Sequence, residues 1–399
     1  MSATTPVRRF LLLVLLPALA TCIGVANMAD DARRERREAM LARAGGMLSA
    51  AVQTDLAEAW SLLEAEAAPV TAVDTSISAV RRARSGDTVR ALGTDEGGPR
   101  ASVLFPRGDT LVSATAVIRS PVIEAASEVT HLDVALYLQG VRLQPPLTES
   151  DPAGEPADLD SDLPPRIDPV PGWTEEEGLW IHPATASLGS ASGDLVVALR
   201  PTVRSRSSTS LRTQLSAGLL LLLSFGLVVA SGAGEAADRA ERRKLRGRVL
   251  AGVALATLTT AVVSISVALG AERRAVADGA RELEIVADLV EARGLANDPA
   301  AAGQWAGSPV YAVRDGTVIG PAEAPVPSVV TDIDPPASGR PMAGVDEVRW
   351  RAVAAQGGYT VFVDDPVGTP PLLLLALGGT LITLFGSMTV TRASRDASG

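Results

Sequence analysis

Four apolar blocks separate long polar stretches along this chain. Phe10–Met28, Leu215–Ala233, Val249–Leu269 and Leu372–Val390 each run for about 20 residues without a charge, the length a helix needs to cross the hydrocarbon core of a bilayer. The first follows Arg8-Arg9 and so shares features with a signal peptide. Its apolar run continues past Ala20 into Ile23-Gly24-Val25, however, where a cleaved signal would turn polar, and the block reads as an uncleaved anchor. The sequence therefore predicts four transmembrane helices, at 10–28, 215–233, 249–269 and 372–390.

Between the anchors the pattern changes twice in the same order. Leu41, Ala44, Leu48, Val52, Ala59 and Leu63 recur at helical spacing behind the first anchor, and Val276, Ala280, Leu283, Ala287 and Val290 do so behind the third. Gly45-Gly46 offers a kink in the first of these helices, and Gly294 with Asn297-Asp298-Pro299 ends the second. Alternating strands follow. In the first segment they are Ala101–Phe105, Thr110–Val117, Leu132–Leu138, Val141–Leu143 and Gly178–His182, with turns at Pro106–Asp109 and Gln139-Gly140. Ser120-Pro121 caps a short helix between the second and third strands. Residues 144–171, rich in Pro and acids, interrupt the sheet. The second segment is shorter: Pro309–Val313, a turn at 314–316, Thr317–Ile319, a Pro-rich crossover at 321–341, and Asp346–Val353. Each segment closes on a strand, Asp194–Arg200 or Tyr359–Val363, that leads into the next anchor. The halves read as degenerate copies of one unit.

Charge orients this arrangement. The short stretch Gly234–Arg248 carries six Arg or Lys against three acids, and residues 1–9 and the tail after Val390 are also net positive. Short basic segments stay in the cytoplasm. Residues 29–210 are net −10 and residues 271–370 net −7, which places both large segments outside the cell and both termini inside. Arg33, Arg34, Arg36 and Arg37 oppose the rule locally, as long translocated segments tolerate. The expected organisation is a cytoplasmic N-terminus (1–9), an outer domain at 29–210, a basic cytoplasmic loop at 234–248, a smaller outer domain at 271–370 and a cytoplasmic tail (391–399). Near-exclusive use of Arg over Lys fits a GC-rich bacterial genome, and the expected location is the bacterial inner membrane.

A long membrane-leading helix, followed by a curled antiparallel sheet whose last strand feeds the next anchor, resembles the extracellular Cache domains of bacterial receptors, which are PAS-like sensors. The resemblance rests on Ala101–Ala116 (ASVLFPRGDTLVSATA), Leu132–Leu143 (LDVALYLQGVRL) and Ser192–Pro201 (SGDLVVALRP), and it is weaker in 271–370, which lacks a YLQG-type hairpin. It implies a membrane protein of α+β class with two extracytoplasmic Cache/PAS-like domains, each a long N-terminal helix plus antiparallel sheet. It also implies a small-molecule pocket between a sheet face and its overlying loops. The candidate ligand-binding residues are then Arg119, Asp133, Tyr137, Trp180 and His182. An Arg grips a carboxylate at two points and aromatic rings wall off a small ligand; the ordinary alternative is core packing for Tyr137 and Trp180 and solvent for His182. Trp305, Tyr311, Arg349 and Trp350 are the weaker counterparts in the second domain.

Other chemistry is largely excluded. One Cys and two His permit neither a closed Cys/His zinc site nor an intrachain disulfide. The acidic string Asp158–Asp162 opens like a calcium loop but places Leu163 where the tight turn needs Gly. Arg107-Gly108-Asp109 is what a hairpin turn requires. No nucleophile with its base and no phosphate-cradling loop is visible, so neither an enzyme, a cofactor nor a nucleic-acid partner is expected. The longest cytoplasmic stretch, of fifteen residues, is too short to fold into a kinase or cyclase. The expected partners are the bilayer, a separate signalling protein and, through small-residue faces, a second copy in a homodimer. Gly252, Ala256, Thr260, Ser264 and Ala268 form such a face on the third helix, with Gly226, Ala230 and Gly234 on the second and Gly379, Thr383 and Ser387 on the fourth. The functional expectation is a sensor that signals laterally; the alternative is a structural or assembly protein of the envelope.

Overall fold

The computed structural model describes residues 8–69, 83–95, 98–117, 132–143, 163–174, 179–184, 195–201, 239–321, 342–343, 349–364 and 371–396, with single positions between them. It is an α+β chain. Its long helices are α1 (Leu16–Glu66, preceded by a π-helical turn at Leu11–Leu15), α2 (Arg239–Ala292) and α4 (Leu372–Asp396), with a short α3 (Pro299–Ala306). The first three each contain a stretch long and apolar enough to cross a membrane. The expected span 215–233 and most of the 234–248 stretch fall largely outside the described residues, as do Ser120-Pro121 and Asp158–Asp162. From Arg239 onward the basic stretch is helical and continuous with the rest of α2.

The chain separates into two compact units. One comprises Met1–Arg37, Arg204–Gly279 and Val367–Gly399; the other comprises Glu38–Val203 and Ala280–Pro366.

In the first unit the helices meet through small residues. Gly252, Ala256, Thr260, Ser264 and Ala268 are all buried. Thr260 and Ser264 return their hydroxyl protons to the carbonyls of Ala256 and Thr260, so no polar hydrogen is stranded in an apolar setting. A Cβ on Gly379 would meet Thr21 Cγ2 at 2.2 Å, and one on Gly386 would meet Leu13 O at 1.9 Å, so glycine alone permits the approach of α4 to the start of the chain. Thr257 and Ser387 share a hydrogen bond of 2.8 Å across α2 and α4. The large apolar side chains of α4 point away from these contacts: Leu374, Leu381, Ile382 and Phe385 are exposed. Along α4, small residues thus face the neighbouring helices and large apolar residues face outward.

In the second unit the described residues form three antiparallel sheets built on the helices. Strands β1 (Ala68–Pro69), β2 (Val89–Asp95), β3 (Gly98–Arg107) and β4 (Thr110–Val117) form one sheet in the order β1-β4-β3-β2. Strands β5 (Leu132–Leu138), β6 (Val141–Arg142), β7 (Gly172–Thr174), β8 (Leu179–Pro183) and β9 (Leu195–Pro201) form another, β6-β5-β9-β8-β7. Strands β10 (Val310–Arg314), β11 (Thr317–Ile319), β12 (Met342–Ala343), β13 (Arg349–Ala355) and β14 (Gly358–Asp364) form the third, β11-β10-β14-β13-β12. The two five-stranded sheets have the same order when counted from their own first strand. Each opens with a hairpin turning on two residues of positive φ, Gln139-Gly140 and Asp315-Gly316, and each puts its closing strand at the centre. The repetition expected from the sequence is therefore present as a shared strand order. Residues 101–116, read from sequence as part of one curled sheet, lie instead in the separate four-stranded sheet, because among the described residues β3 pairs with β2 and β4.

Candidate functional site

Alternation along β5, β8 and β9 divides the candidate residues between two faces of their sheet. Leu132, Val134, Leu136 and Leu138, with Leu195, Val197 and Leu199, enter the same core as Leu41, Ala44, Leu48, Leu56 and Trp60 of α1. Trp180 packs against this core, and His182 lies on the same face one residue pair along. Gly45 explains how the helix comes so close: a Cβ there would stand 3.0 Å from His182 Cβ and 3.1 Å from Leu199 Cδ1. Helix α1 is continuous through Gly45-Gly46, so the glycines serve contact with the sheet. His182 is half-buried, with Nδ1 3.1 Å from Pro183 O, and Ser49 of α1 donates to the same carbonyl at 2.7 Å. The indole N–H of Trp180 is buried and meets no hydrogen-bond partner among the described residues.

The opposite face carries Asp133 and Tyr137. Asp133 pairs with Arg200 directly across β5 and β9, at 3.2 Å from Nη2 and 3.3 Å from Nε. Both side chains are more than a fifth exposed, so this cross-strand pair is worth at most about 1 kcal/mol. Tyr137 is fully buried among Leu163, Ile167, Leu179, Ile181 and Val196, and its hydroxyl donates to Pro164 O at 2.7 Å. The chain at 163–167 is fastened over this face. Ile167 N–H donates to Gly140 O, and Arg142 donates from its backbone to Pro165 O and from its side chain to Leu163 O. At Gly140, where φ is +77°, any Cβ would lie 2.4 Å from Ile167 O. Arg119 lies outside the described residues. The four described candidates thus split two and two across the sheet and do not converge on one cavity.

The second lobe repeats the plan. Tyr311 is buried on the outer face with Val313, Val361 and Val330, the last of these from the crossover, while Trp350 packs at the edge of that cluster. Arg349 begins β13. Trp305, on α3, donates its indole N–H to Met47 O.

What sequence reading missed is the charged seam between the lobes. Arg43 donates to Glu282 at 3.3 Å and twice to Ala306 O, and Arg293 pairs with Asp55. These partners advance together along α1 and α2, so in this unit the leader helices run parallel, side by side. Leu283, Val286 and Val290 of α2 join Leu41, Leu48 and Val52 of α1 in a common core. Arg351 of β13 holds Glu284 at 3.2 Å and Asp288 at 3.1 Å on its own leader helix. Burial raises the Asp288 carboxyl above its ordinary range, with Arg351 opposing. No local signal marks Arg43, which stands about 200° around the helix from Leu41 and about 100° from Ala44, off the apolar stripe.

Among the described residues no group of three or more His, Cys, Asp or Glu side chains is placed to hold a metal ion. Comparison with protein-family models, with curated proteins and with solved structures gives no match to this chain.

Proposed function

We propose that the chain is a multi-pass sensor-like protein of the bacterial inner membrane. Its two lobes are Cache-like receivers outside the cell, and it passes their state laterally to a separate output protein. The observation that carries this reading is the parallel pairing of α1 and α2, each the leader helix of one of two sheets with identical strand order. A ligand or partner that favours one setting of the two leaders shifts their equilibrium by its difference in affinity and no more. The split of the candidate residues locates two kinds of influence. Trp180 and His182 touch the face that bears on α1, whereas Asp133 and Tyr137 belong to the face under residues 163–167.

The lobes share one core, so the test uses the full chain in detergent. Thermal unfolding is followed against amino acids, organic acids and amines, and a concentration-dependent rise in midpoint with one class supports sensing. A flat response across the library, with a stoichiometric envelope complex recovered by crosslinking, supports the second reading, an assembly protein. One observation favours that alternative: the described outer faces of both five-stranded sheets are filled by the protein's own Tyr137, Leu163 and Ile167, or Tyr311 and Val330.

A further inference from the structure

Where the apolar runs of α1 and α2 end and that of α4 begins, the first unit contains a cavity of about 150 Å³. Its charged lining is Asp30, Arg33, Arg36, Glu272, Arg274 and Asp278, and its apolar rim is Leu372–Leu374. The position follows from the sequence. Arg33 stands five residues past Met28 and Arg274 five past Leu269, so at 1.5 Å per residue each lies about one and a half turns beyond the hydrocarbon boundary. Leu372 marks that boundary from the other direction. Both leaders repeat an Arg-Arg pair there, Arg33-Arg34 and Arg273-Arg274. This basic cluster runs against the charge rule that orients the chain, so orientation does not account for it.

Three features of the lining select a ligand. Guanidinium groups match phosphate oxygens in a planar fork. Three carboxylates balance the three guanidinium groups, which disfavours a purely anionic guest and suits one that carries an ammonium beside its phosphate. Leu373 and Leu374 are exposed, leading from the cavity along the apolar face of α4. The volume equals that of about five waters, the scale of a phosphate with a short amine arm. Arg37, beside the lining, is held below the usual guanidinium range chiefly by partial loss of solvent and then by Arg33, with Asp278 opposing.

We propose that this cavity binds the headgroup of a zwitterionic aminophospholipid of the outer leaflet, with the phosphate on Arg33, Arg36 and Arg274 and the ammonium on Asp30, Glu272 and Asp278. The inference rests on the membrane placement and not on what the lobes sense.

The delipidated full chain is titrated in detergent with phosphatidylethanolamine, phosphatidylcholine and phosphatidylglycerol of matched chains, and with soluble glycerophosphoethanolamine, while native mass spectrometry counts bound molecules. The proposal expects one phosphatidylethanolamine bound about tenfold tighter than either other lipid, the difference one charge-assisted hydrogen bond supplies. Arg33→Gln with Arg274→Gln weakens that binding about tenfold or more. Asp278→Asn narrows the preference over phosphatidylcholine, whose methylated ammonium cannot donate. Arg34→Gln, outside the lining, leaves binding unchanged and reports on non-specific charge effects, and helical circular dichroism verifies that each variant is folded. Equal or tighter binding of phosphatidylglycerol, or full retention by the folded Arg33/Arg274 double variant, overturns the proposal. Equal affinity for soluble glycerophosphoethanolamine assigns the cavity to a free solute and overturns the lipid assignment.

Discussion

Tyr137 shows how a residue chosen for ligand chemistry can be fully engaged by its own chain. Its ring is buried and its hydroxyl donates to Pro164 O. Tyr137→Phe keeps the packing and removes one hydrogen bond, so chemical denaturation of the full chain should show a loss of about 1 kcal/mol. A much larger change in the response to a ligand than in stability would instead mark the hydroxyl as a binding group. Asp288 supplies a pH dependence. Its folded carboxyl titrates above the unfolded value, so below about pH 4, the ordinary aspartate range, it imposes no penalty on folding. Stability falls as pH rises from there through the raised folded pKa, and the loss is complete above it. Asp288→Asn should flatten that part of the profile, measured by urea unfolding between pH 4 and 8. Arg351→Leu should destabilise by about 3 kcal/mol at neutral pH, because Glu284 and Asp288 lose the guanidinium that both face. At this scale the sequence was partly legible. Tyr137 and the Gln139-Gly140 turn declared themselves by alternation and turn chemistry, whereas Arg43 and Arg351 did not, because the partners of an ion pair far apart in sequence have no local signature.

Elements were more readable than their pairings. Strands β4 and β5 were expected with the bounds they have, and Gly294 ends α2 in a left-handed conformation as its sequence suggests. Asp298 caps α3 by accepting from Ala300 and Ala301, with Pro299 in the first turn. The stripe on α1 departs in detail. Leu56 and Trp60 are buried where Ala59 was expected, since a 3.6-residue period lets a stripe drift around a long helix. Strands β7 and β12 were missed because two or three residues show no period, and β2 because Gly93 and Thr94 break its apolar alternation. The parallel pairing of α1 and α2 was not legible, because each stripe is equally consistent with packing on its own sheet alone. With Cys22 replaced by Ala, Arg43→Cys and Glu282→Cys should be joined by a short bismaleimide within one chain, altering gel mobility at monomer mass. Arg43→Cys with Arg293→Cys, which lie at different levels, should crosslink far less.

At the level of the whole molecule, two leader helices with five-stranded sheets of one strand order occupy one compact unit, while the apolar stretches of three described helices belong to another. The homodimer expected from the small-residue faces has an internal counterpart, since one chain already supplies two leaders. The buried face Gly252–Ala268 and the glycines of α4 are used within the chain. In the proposed topology both lobes lie beyond the membrane and the basic stretch lies within the cell. Single cysteines at Asp109, Thr317 and Lys244, all exposed positions, test it in a background lacking Cys22. A membrane-impermeant maleimide applied to intact cells should label the cysteines at 109 and 317 and should reach 244 only after permeabilisation; protection of either lobe position, or labelling of 244 in intact cells, would overturn that topology.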